Sequence, residues 1–318
     1  MCRRQIKLLG IFFVWINLML SSAFVTAHKH DFLSREEMIE SIGWDFSKAE
    51  IVVQKITPNL YVLFGLGGNI AVSVGDDGVL IVDDQFPELV PMIEEAIRDL
   101  GGNSVDLVIN SHWHFDHADG NLALGKTGSL IVAHANSRKK NLEDQSINLV
   151  GVGRYVQPAY PEHALADLTF NRDMQIYFNG ESIELVHYGP AHTSGDTVTI
   201  FRGNNAVHFG DVFNTAYPFI DSENGGSISG MINFCQQVLS SINKETVVIP
   251  GHGPVSTYQD LKDYIDMLST VSFRLKEMIA KGMGLEDILK ARPTKEFDKR
   301  YGNPAQLLDR AYDSLRKE

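Results

Sequence analysis

Residues 111–120 read SHWHFDHADG and bring His112, His114, Asp116 and His117 into six positions. In an extended loop residues i and i+2 project to one side. His112 and His114 can therefore hold one ion while Asp116 and His117, at the following turn, reach toward another. A single ion can hardly use all four. With eleven histidines in the whole chain, an H-x-H-x-D-H match arises by composition alone with a probability on the order of 10⁻³. Two-metal hydrolases hold their ions roughly 3.5 to 4 Å apart, so one loop can feed both sites if other segments complete them. Three places qualify: His192 in GPAHTSGD, Asp211 in HFGDVFN and His252 in IPGHGPV. Each follows a predicted strand and stands beside glycine, where a side chain can converge on a common sheet edge. His28, His30, His134, His163, His187 and His208 have no ligand partner at such a spacing and read as ordinary surface or core residues. Trp113 and Phe115, between the ligands, are expected to face away and anchor the loop.

The surrounding pattern can build that edge. Short β-branched runs at 51–56, 60–64, 69–74 and 79–82 are broken by Pro58-Asn59, Gly67-Gly68 and Asp76-Asp77-Gly78, which is a hairpin pattern. Over 86–100, Leu89, Ile93, Ile97 and Leu100 recur at helical spacing and Gly101-Gly102 ends the segment. A strand at 105–109 then leads into the ligand loop. Strands are predicted again at 130–132, 182–186, 198–201, 206–209 and 247–249, with helices at 136–149 and 228–242. Hydrophobic residues make up 44% of the chain, ample for a core of this size. The result is a mixed α/β catalytic domain over 49–255. Residues 28–48 read as a polar lead-in with a short helix. Behind a Thr257-to-Asp260 capping pair, Leu261, Tyr264, Ile265, Leu268 and Leu275 mark a long amphipathic helix that Gly282 stops. Further short helices around Pro293 and Pro304 complete a helical extension over 256–318.

Taken in order, H-x-H-x-D-H, H-T-x-G-D, G-D and G-H-G resemble the metallo-β-lactamase superfamily over about residues 50–255. The resemblance implies a four-layer αββα sandwich with a metal site at one edge of two facing sheets. Residue by residue, it implies His112, His114 and His192 on a first metal, Asp116, His117 and His252 on a second, and Asp211 bridging them. Asp83 of VDD (82–84) and Asp196 of HTSGD would orient the ligand loops. GLGGN at 65–69 resembles the family's strand turn, although a plain hairpin explains it as well. Imidazole and carboxylate ligands without thiolate suit zinc, two ions per chain, and such a pair lowers the pKa of a shared water to about 7 or below. The expected chemistry is attack of metal-bridging hydroxide on a carbonyl, with Asp116 orienting the nucleophile. A structural zinc site is disfavoured because such sites are closed and usually rich in cysteine.

Location and substrate are bounded more loosely. MCRRQIK followed by the uncharged run LLGIFFVWINLMLSS and Val25-Thr26-Ala27 reads as a cleaved signal peptide over 1–27, with a retained membrane anchor as the alternative. The expected protein is therefore exported, periplasmic or secreted, and not inserted in a membrane once the leader is removed. Cys2 leaves with the leader and Cys235 stands alone, so no intrachain disulfide forms. The net charge of −12 becomes more negative without Arg3, Arg4 and Lys7, which argues against a nucleic-acid partner. A small-molecule substrate is expected. Tyr217, Pro218, Phe219 and Ile220 can line an apolar pocket, with the Tyr217 hydroxyl offered to a developing oxyanion, or can simply tuck a loop onto the core. The 150–170 segment can cover the site as a lid. Asp211 stands where one group of zinc β-lactamases has cysteine, and no lysine follows it to grip a β-lactam carboxylate. The substrate is accordingly expected to be a β-lactam-like amide, a lactone or an ester. A thioesterase of the glyoxalase II type, an iron-dependent persulfide dioxygenase and a metal-retaining binding protein are the alternatives.

Overall fold

The computed structural model describes residues 32–318; the segment read as a leader, 1–27, lies outside the described residues. Seven strands form one sheet in the order Leu168–Phe170, Leu130–His134, Leu107–Asn110, Gly78–Val82, Ile70–Gly75, Leu60–Phe64 and Val52–Lys55. Six form a second, in the order Asp173–Phe178, Glu181–Val186, Val198–Phe201, Ala206–His208, Val247–Ile249 and Ser256–Thr257.

Side-chain alternation along the strands decides the layers. Leu60, Val62, Ala71, Leu80 and Val82 turn inward to meet Ile183, Leu185, Phe201 and Ile249 of the facing sheet. Their neighbours Leu63, Ile70, Val72, Val79 and Ile81 turn outward onto Ile93 and Ile97 of helix Val90–Asp99 and Met38 of helix Arg35–Ile42. On the other side, Val198, Ile200, Val207 and Val248 pack against Phe234 and Val238 of helix Ile228–Ser241 and against Leu261 and Leu268 of helix Tyr258–Ala280. Helix, sheet, sheet, helix is the αββα sandwich that the sequence implies. The long helix starts where expected, its Thr257 hydroxyl accepting from Asp260 N while the Asp260 carboxylate accepts from Thr257 N. Ile288, Tyr301, Leu307 and Leu308 of helices Leu285–Ala291, Asp298–Tyr301 and Ala305–Leu315 join the same outer layer.

The direction of the central strands positions the site. Gly78–Val82 and Leu107–Asn110 run parallel, as do Ala206–His208 and Val247–Ile249. Their C-terminal ends reach one edge of the sandwich and release there Asp83, the 111–117 loop, Asp211 and His252. Strand Val198–Phe201 is antiparallel to Ala206–His208, with Thr199 beside His208, so the turn carrying His192 arrives at that edge too.

One expectation is corrected. Residues 136–149 are not one helix: the helix covers Ala135–Asn141, and Gln145–Leu149 is a strand pairing antiparallel with Gly153–Gln157. That pairing, flanked in parallel by Phe32–Leu33, buries Ile147 and Tyr155 on the outer-layer core. Residues 150–170 form a hairpin arm whose Val150 and Val152 line the cavity, a short 3-10 turn at Glu162–Ala164 and the edge strand Leu168–Phe170. Among the described residues no helix is long and apolar enough to cross a membrane.

Leu268 is fully buried between the second sheet and the C-terminal helices. Leu268→Ala is expected to cost about 2–5 kcal/mol in urea denaturation. A loss below about 0.5 kcal/mol would show that this layer is not a packed core.

Candidate metal centre

The ligand loop is fastened at both ends. Asp83, at the end of its strand, accepts from Ser111 N (2.6 Å, Oδ1) and Ser111 Oγ (2.7 Å, Oδ2), and its Oδ2 lies 2.7 Å from His117 Nδ1. Trp113 and Phe115 point back into the outer-layer core, as expected of anchors, and the Trp113 carbonyl accepts from Gln157 Nε2. The Gly67-Gly68 turn passes directly over the loop. Gly68 N donates to the Asp116 carbonyl, and a Cβ at Gly68 would overlap the His117 ring. Only glycine allows that approach.

His112, His114, Asp116, His117, His192, Asp211 and His252 all meet at this edge. Their donor atoms form three overlapping triads, His112/His114/His192, His112/His117/Asp211 and Asp116/His117/His252, with the atoms of each within 4.8 Å of one another. The other nitrogen of most rings is held from behind. His112 Nδ1 lies 3.0 Å from Ser111 Oγ and His192 Nδ1 donates to the Phe219 carbonyl at 2.8 Å. His114 Nε2 lies 3.0 Å from Asp221 Oδ2, which leaves Nδ1 facing His192 Nε2 at 2.9 Å. Such partners fix which nitrogen faces the centre. Asp196 accepts from Ala191 N, Thr193 N and Thr193 Oγ and so closes the turn that presents His192; burial pushes its carboxyl up to about 6. Asp84, beside Asp83, is buried with both oxygens unpaired, and burial and Asp83 hold it well above the usual carboxylate range.

The donor set fits cations. His112 Nε2 is buried without a hydrogen-bond partner and turned to the centre, where Asp211 Oδ1 faces His117 Nε2 at 3.2 Å. Burial and three neighbouring imidazoles hold His112 well below the usual histidine range, and burial with His114 lowers His192. Burial also opposes a charge on His117 and His252, but Asp211 and Asp116 outweigh it and raise both. Without a metal, the protein thus places protons where the second ligand set converges, and metal binding at such sites releases protons. Cys235 takes no part, being buried against the Val212 carbonyl.

Asp221 and Asn224 carry no motif in the sequence. Lys140 donates to Asn224 Oδ1 and Asn224 Nδ2 donates to Asp221, which backs His114 from 107 positions away. His208 and His134 are held by the carbonyls of Asn69 and Asn171, and His187 stacks on His134 at 3.9 Å. None of the three enters the centre. Tyr217 lines the cavity above it, while its hydroxyl is engaged with Asp298 Oδ1 (3.0 Å) and the Thr294 carbonyl (3.2 Å). That cavity encloses about 330 Å³, with His114, Asp116, Asp211 and His252 on its floor.

A family model described as the metallo-beta-lactamase superfamily matches residues 64–252. Among solved structures, a metallo-beta-lactamase from Pontibacter korlensis is 17% identical with a TM-score of 0.56, the match covering 69% of this chain and 99% of that one. For the DIM-1 metallo-beta-lactamase the values are 19%, 0.57, 70% and 99%. The stereoselective inverting sec-alkylsulfatase Pisa1 from Pseudomonas sp. is 16% identical with a TM-score of 0.64, over 82% of this chain and 50% of its own. At these identities the likeness is one of fold. No curated protein matches the chain in sequence.

Three elements around the cavity meet at Glu223. Its carboxylate pairs with Arg154 of the hairpin (2.6 Å, Oε2) and with Arg310 of the last helix (3.1 Å, Oε1), and it accepts from Asn148. The Arg154 hydrogen bond, working against burial, pulls its pKa down to about 2. A carboxylate depressed on folding stabilises the native state above its unfolded pKa of about 4.3 and loses that contribution as the pH falls through 2. Because it is partly open to water, about 1 kcal/mol is expected. Glu223→Gln should therefore be less stable than wild type at pH 7 in urea denaturation, with the gap closing between pH 4 and pH 2. A gap independent of pH would contradict the ion-pair account.

Proposed function

The chain belongs to the metallo-β-lactamase superfamily, and from that premise we propose that it is an exported dinuclear zinc hydrolase cleaving a carbonyl substrate, a β-lactam-like amide or a lactone or ester. One observation carries the dinuclear reading. The two oxygens of Asp211 face different ligand sets: Oδ1 lies 3.2 Å from His117 Nε2 and 3.4 Å from His252 Nε2, while Oδ2 lies 3.8 Å from His192 Nε2. A carboxylate so split is suited to two neighbouring cations. His112, His114 and His192 would hold one and Asp116, His117 and His252 the other, with Asp211 shared between them.

When bound, two zinc ions supply a water acidified to a pKa of about 7 and polarise the carbonyl under attack. The protein's own groups do the rest. Asp116, 3.2 Å from His252 Nε2 through Oδ2 and on the cavity floor, would orient the attacking water through its carboxylate, take its proton and return it to the leaving nitrogen or oxygen as the C–N or C–O bond breaks. Asp83 and Asp221 keep His117 and His114 turned to the centre through the reaction, and Asp196 does the same for the His192 turn. The phenyl and indole walls give the floor a largely apolar surround. No serine, cysteine or lysine nucleophile is required. Tyr217 contributes its ring to the wall, its hydroxyl being held at Asp298. Export rests on the leader-like residues 1–27 of the sequence.

Metal analysis of the purified protein together with a panel of β-lactam, lactone, thioester and phosphodiester substrates tests the reading, with Asp116→Ala as the blank. Two zinc per chain are expected, falling toward one in His252→Ala, with both sites weakened in Asp211→Ala. Turnover of an amide, lactone or ester should exceed the blank by about 10² or more. One iron per chain, or no rate above the blank on any substrate, would overturn it.

A further inference from the structure

The walls of the cavity carry information that the ligand set does not. Above the floor they are built from Trp44 just after the first helix, Ile147, Leu149 and Val150 of the hairpin, and Phe219 of the 215–227 loop. Among the described residues no lysine or arginine lines the cavity. The cations on the elements that form it are engaged elsewhere: Arg154 and Arg310 close on Glu223, and Lys140 binds Gln145 and Asn224. Apart from the floor and the engaged Tyr217 hydroxyl, the polar lining comes from Asn214 and Gln306. The Asn214 carbonyl accepts from His252 N at 2.7 Å. A backbone N–H can only donate, so that bond fixes the orientation of the amide and leaves its NH2 group without an acceptor among the described residues. It is a neutral donor beside the ligands.

Resting on the hydrolase reading above, we propose that the substrate is an uncharged carbonyl compound carrying an apolar chain. The chain lies along Trp44, Leu149 and Val150, and the polar end near the floor meets the Asn214 amide. A carboxylate or sulfate on the chain would enter an apolar space among walls whose neighbouring cations, Arg154, Arg310 and Lys140, are engaged elsewhere. Such a group loses hydration without a partner, so the cavity discriminates against it. A volume of about 330 Å³ is at the small end of the usual range for ligand sites, about 300–1,000 Å³, and suits a short to medium chain.

The test uses the zinc-loaded protein with straight-chain acyl lactones and esters, each paired with an analogue ending in a carboxylate. For the neutral series kcat/KM is expected to rise about three- to fourfold per added methylene until the cavity is filled. The carboxylate-ended partners should fall by about 10² or more. Gln306→Lys, which adds a cation to the wall away from the metal ligands, should recover at least about tenfold of that loss. Binding of unreactive alkyl amides, read by calorimetry, should follow the same chain-length order and weaken in Leu149→Asp. Turnover that is indifferent to chain length, or faster on the anionic partners, overturns this inference and leaves the hydrolase reading standing. Tight binding of the neutral amides with no turnover of any substrate supports the cavity assignment and sinks the hydrolase reading instead.

Discussion

Asp83 holds the centre together. It stands at the end of Gly78–Val82 with φ of 65°, a left-handed conformation that costs a non-glycine residue on the order of 1–3 kcal/mol. The conformation persists because the carboxylate it aims is bonded three times over, to Ser111 N, Ser111 Oγ and His117 Nδ1. Through these bonds one side chain sets where the ligand loop begins and where its last histidine points. The Gly67-Gly68 turn, packed over His117, and Gly251, where a Cβ would overlap Asp211 Oδ1, depend on that placement. The parallel pairing of Gly78–Val82 with Leu107–Asn110 brings Asp83 to the loop in the first place.

What was legible in the sequence was local or strongly periodic. Short β-branched runs at 60–64, 69–74 and 79–82 marked strands of the first sheet, and Leu261, Leu268 and Leu275 marked the inward stripe of the long helix, these three all buried. The ligands were legible because four share one loop and the other three lie beside glycine at strand ends. What escaped was non-local. Asp221 backs His114 across 107 residues and has no spacing signature. The strand Gln145–Leu149 continues straight from a helix, and only its pairing with Gly153–Gln157 defines it. A β-propensity this modest is settled by cross-strand partners rather than by the segment itself. The sequence left Tyr217 open between the pocket and the core, and the partner of its hydroxyl, Asp298, lies on a short helix whose docking no local pattern reveals.

The division of labour follows from the topology. The edge that collects the ligands is built from the ends of central strands, buried on both faces and tightly constrained. The cavity walls come from peripheral elements: the first helix and the residues after it, the Gln145–Gln157 hairpin, the 215–227 loop and the last helix. The hairpin, the loop and the last helix meet one another at Glu223, and each also packs on the outer layers of the sandwich. On the proposed reading, machinery and selectivity rest on separate parts of the chain. This is why the superfamily match gives the fold and the family of the floor, while the proposed substrate has to be read from the walls.

The central claim is that two cations sit side by side on these seven residues and share Asp211. X-ray absorption at the zinc edge, on protein loaded with two equivalents of zinc, addresses it without any substrate. The account predicts a shell of nitrogen and oxygen alone at about 2.0–2.2 Å, rich in imidazole scattering, together with a metal–metal vector at about 3.5–4 Å. A sulfur shell near 2.3 Å, or two filled sites with no metal–metal vector in that range, would contradict it.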